Sequence, residues 1–541
     1  MKNLDAKDIF SFPISTKNTE EDKRLRSLDG RRRLQSMPLK PLQIFQGNGA
    51  YYFDLYIGSP PQRQTVLLDT GSENVAIPCQ ECNDCGDNHI DPLFDQYASE
   101  SFRQLKCLEC QHGKCSEKDD TCRVESHYIE GSSWKGIEVN DKIFNARSGE
   151  VPIDTNSIDK DEGVSDSDGF PLTFTCMASV EREFHDQIAD GIAGLGMQGG
   201  SLWRQMYDQG YIQSKQFSLC LSSHPLQNRL VGALTLGGID ERLGQKESDM
   251  AYMEMKNSSG QYEVQIRNIF LKKNGGQRMR DLSLDARSTN TITLSSEEEI
   301  LNHEGVILDS GTTGTLLTPA LKEALDSAWQ EATGETFPTD LVSMSANDLK
   351  DWPTFVFQMK GSPSNARRRK NDNLLASTYN LHDNPNDVLV ALPPSQYMSL
   401  DMSTGKYFPL LKADGAYNKG TILGSNFMRQ HSVLFDIENK RIGFAESDCN
   451  FNTILSSEGK EDQMMFPDPY VSYNKVMAWY HEDLCAKDLR LCASLRRNAL
   501  VLVNASLSLI LIRMLFIIRS GKRAQKKDGD SHIRTQIELY S

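Results

Sequence analysis

The chain has 541 residues, with 59 Lys and Arg against 74 Asp and Glu, and a net charge of −15. That acidic balance argues against nucleic acid as a partner. The length leaves room for two lobes of ordinary domain size plus terminal extensions.

Residues 1–43 contain no apolar h-region, so no signal peptide is visible. The stretch Lys23 to Arg33 is basic and ends Arg31-Arg32-Arg33. It reads either as a propeptide-like segment with a processing site or as a solvated leader.

From residue 44 to 450, runs rich in Val, Ile, Leu, Phe and Tyr recur between Gly, Pro, Asn and Asp turns. That pattern predicts a mostly β chain with few helices. One helix is predicted over Pro319 to Ala332, with Leu321, Leu325 and Trp329 on one face.

Two short motifs dominate this region: Leu67-Leu68-Asp69-Thr70-Gly71-Ser72 and Val306-Ile307-Leu308-Asp309-Ser310-Gly311-Thr312. Each is an apolar run ending in Asp, a small hydroxyl residue, Gly and a second hydroxyl, and no other Asp-Ser/Thr-Gly occurs. Such a tripeptide alone is a common turn signal. Two copies 240 residues apart suit two similar lobes that bring their carboxyls into one cleft. Two carboxyls that share a site cannot both ionise, so the pair holds one proton. The ionised member can deprotonate a water and the protonated member can donate to a substrate carbonyl. Glycine at Gly71 and Gly311 allows close backbone approach. Thr70, Ser72, Ser310 and Thr312 offer hydroxyls to hold the carboxylates. Carboxyls more than about 8 Å apart would be unable to clasp one water molecule.

Seven of the 12 cysteines fall within residues 79–122: Cys79, Cys82, Cys85, Cys107, Cys110, Cys115 and Cys122. The others are Cys176, Cys220, Cys449, Cys485 and Cys492. Cys82 and Cys85 followed by Cys107 and Cys110 approach a zinc-ribbon spacing. A disulfide-stapled loop is the competing reading, favoured in an oxidising compartment. Seven is odd, so one of these must pair outside the cluster or stay free; Cys176 or Cys220 is a plausible partner. Asn257-Ser258-Ser259 is a glycosylation sequon. Asn504-Ala505-Ser506 is a second, expected to stay bare inside a bilayer. Ala366 to Lys370 is a charged loop insertion.

Residues 451–498 read as a stalk carrying Cys485 and Cys492. Residues 499–518 hold 13 Leu, Val, Ile or Phe. As a helix they reach about 30 Å, enough to cross the hydrocarbon. Those residues contribute about −4 to −8 kcal/mol to insertion, against about 3 kcal/mol or less for Arg513 near one end. The basic residues Arg519, Lys522, Arg523, Lys526 and Lys527 follow and put the tail 519–541 in the cytoplasm.

The two Asp motifs are accompanied by Tyr51 to Gln62 with its Gly-Ser-Pro-Pro turn, Asp190-Gly191-Ile192-Ala193-Gly194, Trp352 to Phe357, and Ile422-Leu423-Gly424-Ser425. Together they resemble the pepsin-like aspartic peptidases over about residues 45–450. The insert 79–122 is similar to that of plasmepsin V-like and nepenthesin-like members. The resemblance implies a bilobal fold, with an N-lobe over 44–240 and a C-lobe over 241–450, and a catalytic pair Asp69 and Asp309. It implies a flap hairpin at His127 to Trp134, with Tyr128 closing over substrate and Gly131 at the tip.

Two family features are missing. Glu73 stands where many pepsins have Ser, and no Trp follows at the place that contacts the flap Tyr. Glu73 is expected to be a solvated surface charge; the alternative is that it biases the titration of the pair or shapes a subsite.

The reading is a membrane-anchored aspartic endopeptidase of the secretory system, acting as a monomer on protein or peptide substrates. The hydrolysis needs no metal or organic cofactor. A catalytically silent binding protein on the same fold and a zinc-organised interaction module are the alternatives.

Overall fold

A computed structural model describes residues 41–449, apart from 48–49, 129, 145–168, 223–231, 244–245, 257–259, 274–290, 368–383, 385, 402–403 and 414–419. The leader to residue 40, Asn257, residues 368–370, Cys485, Cys492, the stalk, the apolar segment 499–518 with Asn504, and the tail lie outside the described residues. Among the described residues no helix is long and apolar enough to cross a membrane.

Among the described residues strands predominate, and they form sheets of 15, five, four and two. The apolar runs of the sequence become buried strands, and in Ala50–Ile57 both faces are covered, Tyr52 and Tyr56 included. In Ala50–Ile57, Tyr51, Phe53, Leu55 and Ile57 are all in the core. The predicted helix begins as a 3₁₀ turn at Pro319–Leu321 and continues as an α-helix over Lys322–Thr333. Leu321, Leu325 and Trp329 are buried, and Gly334 ends the helix in the left-handed conformation.

An internal two-fold pattern organises the sheets. In the first half, Gly191–Gly194 runs parallel to Gln62–Asp69 and antiparallel to Val75–Pro78. In the second half, Thr421–Leu423 runs parallel to Val306–Leu308 and antiparallel to Thr315–Leu316. Each Asp motif is thus the end of a strand whose neighbour arrives from far along the chain. The halves also share a sheet: Gln216–Leu221 pairs with His431–Asp436, which pairs with Arg441–Glu446.

The described cysteines form five disulfides: Cys79–Cys176, Cys82–Cys85, Cys107–Cys115, Cys110–Cys122 and Cys220–Cys449. Cys79 is therefore the member of the cluster that pairs outside it. The four sulfurs of the zinc-like spacing are all committed to disulfides. The Cys-rich segment is pinned to the body at several points. Phe94 is fully buried, Asp91 binds Arg63 at 2.6 Å, and the buried Glu138 carboxylate accepts the Gln111 and His112 amides at 3.0 and 2.7 Å.

Candidate active site

The strand ends position the two carboxyls. Leu68 and Leu308 are buried anchors immediately before Asp69 and Asp309. The Asp69 carbonyl accepts the Leu195 amide at 2.7 Å, and the Asp309 amide donates to Leu423 O at 3.1 Å. After each Asp the chain turns back, so that Gly71 N donates to Asp69 Oδ1 at 2.8 Å and Gly311 N to Asp309 Oδ1 at 2.9 Å.

The glycines also bring the halves together. A Cβ on Gly71 would lie 2.6 Å from Asp309 Oδ1, and one on Gly311 would lie 2.4 Å from Asp69 Oδ1. The same point on Gly311 is 3.2 Å from Asp309 Oδ1. The two carboxyls therefore meet well inside the separation that one water molecule can bridge.

The four hydroxyls divide the work differently from the sequence expectation. Thr312 Oγ1 donates to Asp309 Oδ2 at 2.6 Å. Thr70 and Ser310 instead tie the two turns to each other. Thr70 Oγ1 donates to Leu308 O at 3.1 Å and accepts Ser310 N at 2.9 Å. Ser310 Oγ donates to Leu68 O at 2.8 Å and accepts Thr70 N at 3.0 Å. Ser72 Oγ lies beside the Asp69 carboxyl and the Tyr128 hydroxyl, short of a full hydrogen bond to either.

Asp69 is 4% exposed. Burial first, and then the neighbouring Asp309 charge, hold its carboxyl well above the usual range; the Gly71 amide opposes them. A carboxyl kept neutral beside a second carboxyl is the arrangement that general acid–base chemistry requires.

The flap hairpin joins Thr121–His127 to Ser133–Phe144, with His127 opposite Ser133. Gly131 is at its tip with φ +96°, packed against Arg182. Arg182 Nη1 donates to Glu130 O at 3.1 Å. The Tyr128 ring rests 5.1 Å from Phe184, and Trp134 Nε1 donates to the Tyr128 hydroxyl at 3.1 Å. Trp134 was not legible as a partner, because it lies on the far arm of the flap. Ala76 packs in the same apolar cluster as Trp134. Glu73 is half-buried, and its Oε2 accepts Gln198 N at 2.7 Å, so it clamps the loop after Gly194 instead of standing in solvent.

Asp69, Asp309, Tyr128, Ser72, Gly71, Gly311 and Thr312 line one cleft of about 940 Å³. Thr70 and Ser310 are buried beneath it.

Residues 171–447, just over half of the chain, match the model of the eukaryotic aspartyl proteases. The chain belongs to that family. Residues 51–238 match the model of the xylanase inhibitor N-terminal region, so the halves that supply Asp69 and Asp309 are each covered. Among the similar proteins is aspartic protease 5 of Toxoplasma gondii, 26% identical over 428 residues, 74% of this chain and 36% of that protein. Aspartic proteinase nepenthesin-1 of Nepenthes gracilis is 25% identical over 414 residues, 75% of this chain and 79% of that protein. Plasmepsin V of Plasmodium falciparum is 28% identical over 229 residues, 40% of this chain and 35% of that protein. This aspartyl protease family member thus spans little more than a third of two of those relatives.

Proposed function

We propose that the protein is an aspartic endopeptidase in which Asp69 and Asp309 share one proton and one water molecule. The ionised carboxylate takes a proton as the water oxygen attacks the peptide carbonyl carbon. The protonated carboxyl donates to the carbonyl oxygen. Collapse of the resulting diol breaks the C–N bond as the amine nitrogen takes a proton. The observation that carries this reading is the meeting of the two carboxyls, each fixed by the amide two residues on. Tyr128, held over the cleft by Trp134, is the closing residue.

Beside the pair, Glu73, Glu130, Glu183, Asp186, Glu263 and Glu304 face the cleft, and no Lys or Arg is among its described lining residues. That lining suits peptides with cationic side chains. Five disulfides support an oxidising compartment. The apolar segment 499–518 and the basic residues after it support a single-pass anchor with the protease on the luminal side. Proteins of the secretory pathway and its membranes are the substrates on this reading.

The test is peptide-library cleavage between pH 3.5 and 7, with pepstatin present or absent. Asp69→Ala and Asp309→Ala should each lower kcat at least about 10³-fold. Undiminished cleavage by either variant overturns the assignment. Stoichiometric peptide binding without cleavage by the unaltered protein would favour a silent binding protein.

A further inference from the structure

The tip of the flap meets the cleft wall along a short stretch of chain. Phe170–Glu181 pairs with the second arm of the hairpin, with Ser133 opposite Glu181 and Trp134 opposite Val180. Where that strand ends, Ser133 Oγ donates to Glu181 Oε2 at 2.9 Å, and Glu183 N donates to Ser132 Oγ at 3.3 Å. Glu183 and Phe184 then face the cleft. Arg182, between these contacts, leaves the strand conformation at φ 57°, ψ −121°. Residues with a side chain avoid that region, and glycine enters it freely.

What the side chain touches gives a reason for an arginine there. Its Nη1 donates to Glu130 O at 3.1 Å, a bond strengthened by the charge of the donor. The tip glycine rests against the same guanidinium: a Cβ on Gly131 would lie 2.3 Å from Nη1 and 2.9 Å from Cζ. Gly131 N donates to Tyr128 O at 3.0 Å, and Tyr128 N to Ser132 O at 2.9 Å. Fixing Glu130 O and Gly131 therefore fixes the turn that Tyr128 opens. Strained backbone of this kind persists where the surroundings over-determine it, and it gathers at ligand clamps.

We propose that Arg182 is a positioning residue for substrate binding: its guanidinium seats the flap tip on the cleft wall, at Glu130 O and against Gly131, and so fixes Tyr128 over the peptide. Glu130 and Tyr128 line the cleft and Arg182 does not, so it acts through them. The strained backbone is accepted in return for a side chain long enough to reach the tip. The kinetic consequence rests on the endopeptidase reading; the seating of the tip does not.

The test compares Arg182→Gly and Arg182→Lys with the unaltered full chain, measuring kcat and KM separately on one cleaved peptide. Arg182→Gly removes the side chain and relaxes the backbone. Its melting temperature should stay within about 3 °C of the unaltered protein, because relief of strain offsets the added freedom of the unfolded chain. Its KM should nevertheless rise about fivefold, the weight of one hydrogen bond, with kcat changed less than about twofold. Arg182→Lys, which keeps a cationic donor, should hold KM within about twofold. An unchanged KM in Arg182→Gly overturns the proposal, as does a loss confined to kcat or one that lysine does not reduce. A KM rise that comes only with a larger fall in melting temperature makes Arg182 a structural residue and overturns it too. Amide exchange of residues 131–133 supplies a readout that needs no cleavage. It should quicken about fivefold in Arg182→Gly, while residues 173–177 on the core strand stay unchanged. Exchange at the tip indifferent to the substitution overturns the seating. Quickened exchange in a protein that cleaves nothing leaves the seating standing and removes the endopeptidase reading instead.

Discussion

Trp134 and Tyr128 are joined within one hairpin, indole N–H to phenol oxygen, at 3.1 Å. The flap therefore carries its own orienting partner. The Trp134 end of that bond is fixed in the lobe, because its side chain is buried in the apolar cluster with Ala76 and Ile192.

If that bond is what Trp134 supplies, Tyr128→Phe and Trp134→Phe should each lower kcat/KM by about fivefold, the value of one hydrogen bond. The double variant should lose little more than either single one, which a double-mutant cycle measures. Losses that simply multiply would show the two residues acting separately.

Gly71→Ala and Gly311→Ala should each cut kcat by at least about 100-fold, since the added methyl occupies space belonging to the opposite carboxyl. Overpacking should cost about 1–3 kcal/mol of stability. Thermal melts and circular dichroism should therefore still report a folded protein. An active alanine variant at either position would contradict the described approach of the two turns.

Stability should fall as pH rises. Burial is the first cause that lifts the carboxyls of Asp69 and Asp190, and it pushes Asp54 up to about 6. A carboxyl whose value is raised by folding contributes fully below its unfolded value near 4. It loses that contribution as pH climbs through the folded value. Melting temperature should therefore be higher at pH 4.5 than at pH 7. Asp54→Asn, which keeps a partner for Thr65 Oγ1, should flatten the part of that fall centred near pH 6. A melting curve unchanged by the substitution would remove Asp54 from the account.

Replacing both Cys79 and Cys176 by Ala should destabilise the first half by about 4 kcal/mol, as expected for a loop of this length closed by one bridge. Denaturant titration reads the loss. Replacing Cys107 and Cys115, which close a far shorter loop, should cost less.

The parts of the site that were legible in the sequence are local in the chain. Asp69 and Gly71 interact two residues apart, as do Asp309 and Gly311, so the motif itself contains the geometry. The helix after Pro319 followed from spacing alone, and the parity of the cysteines required one of the seven to pair outside the cluster or stay free. Cross-chain relationships were not legible. Thr70 and Ser310 read as holders of their own Asp, yet each bonds backbone 238 or more residues away, and no local pattern encodes that exchange. Glu73 read as a solvent charge because nothing nearby in sequence signals the amide of Gln198 folding back onto it.

The hydroxyl exchange beneath the cleft is reciprocal: Thr70 reaches Leu308 O, and Ser310 reaches Leu68 O. Each of the two hydroxyls therefore donates to one carbonyl and accepts one amide of the opposite turn. The two turns are thus fastened by four hydrogen bonds between residues 238 to 242 apart, so this joint forms only after both turns have been synthesised.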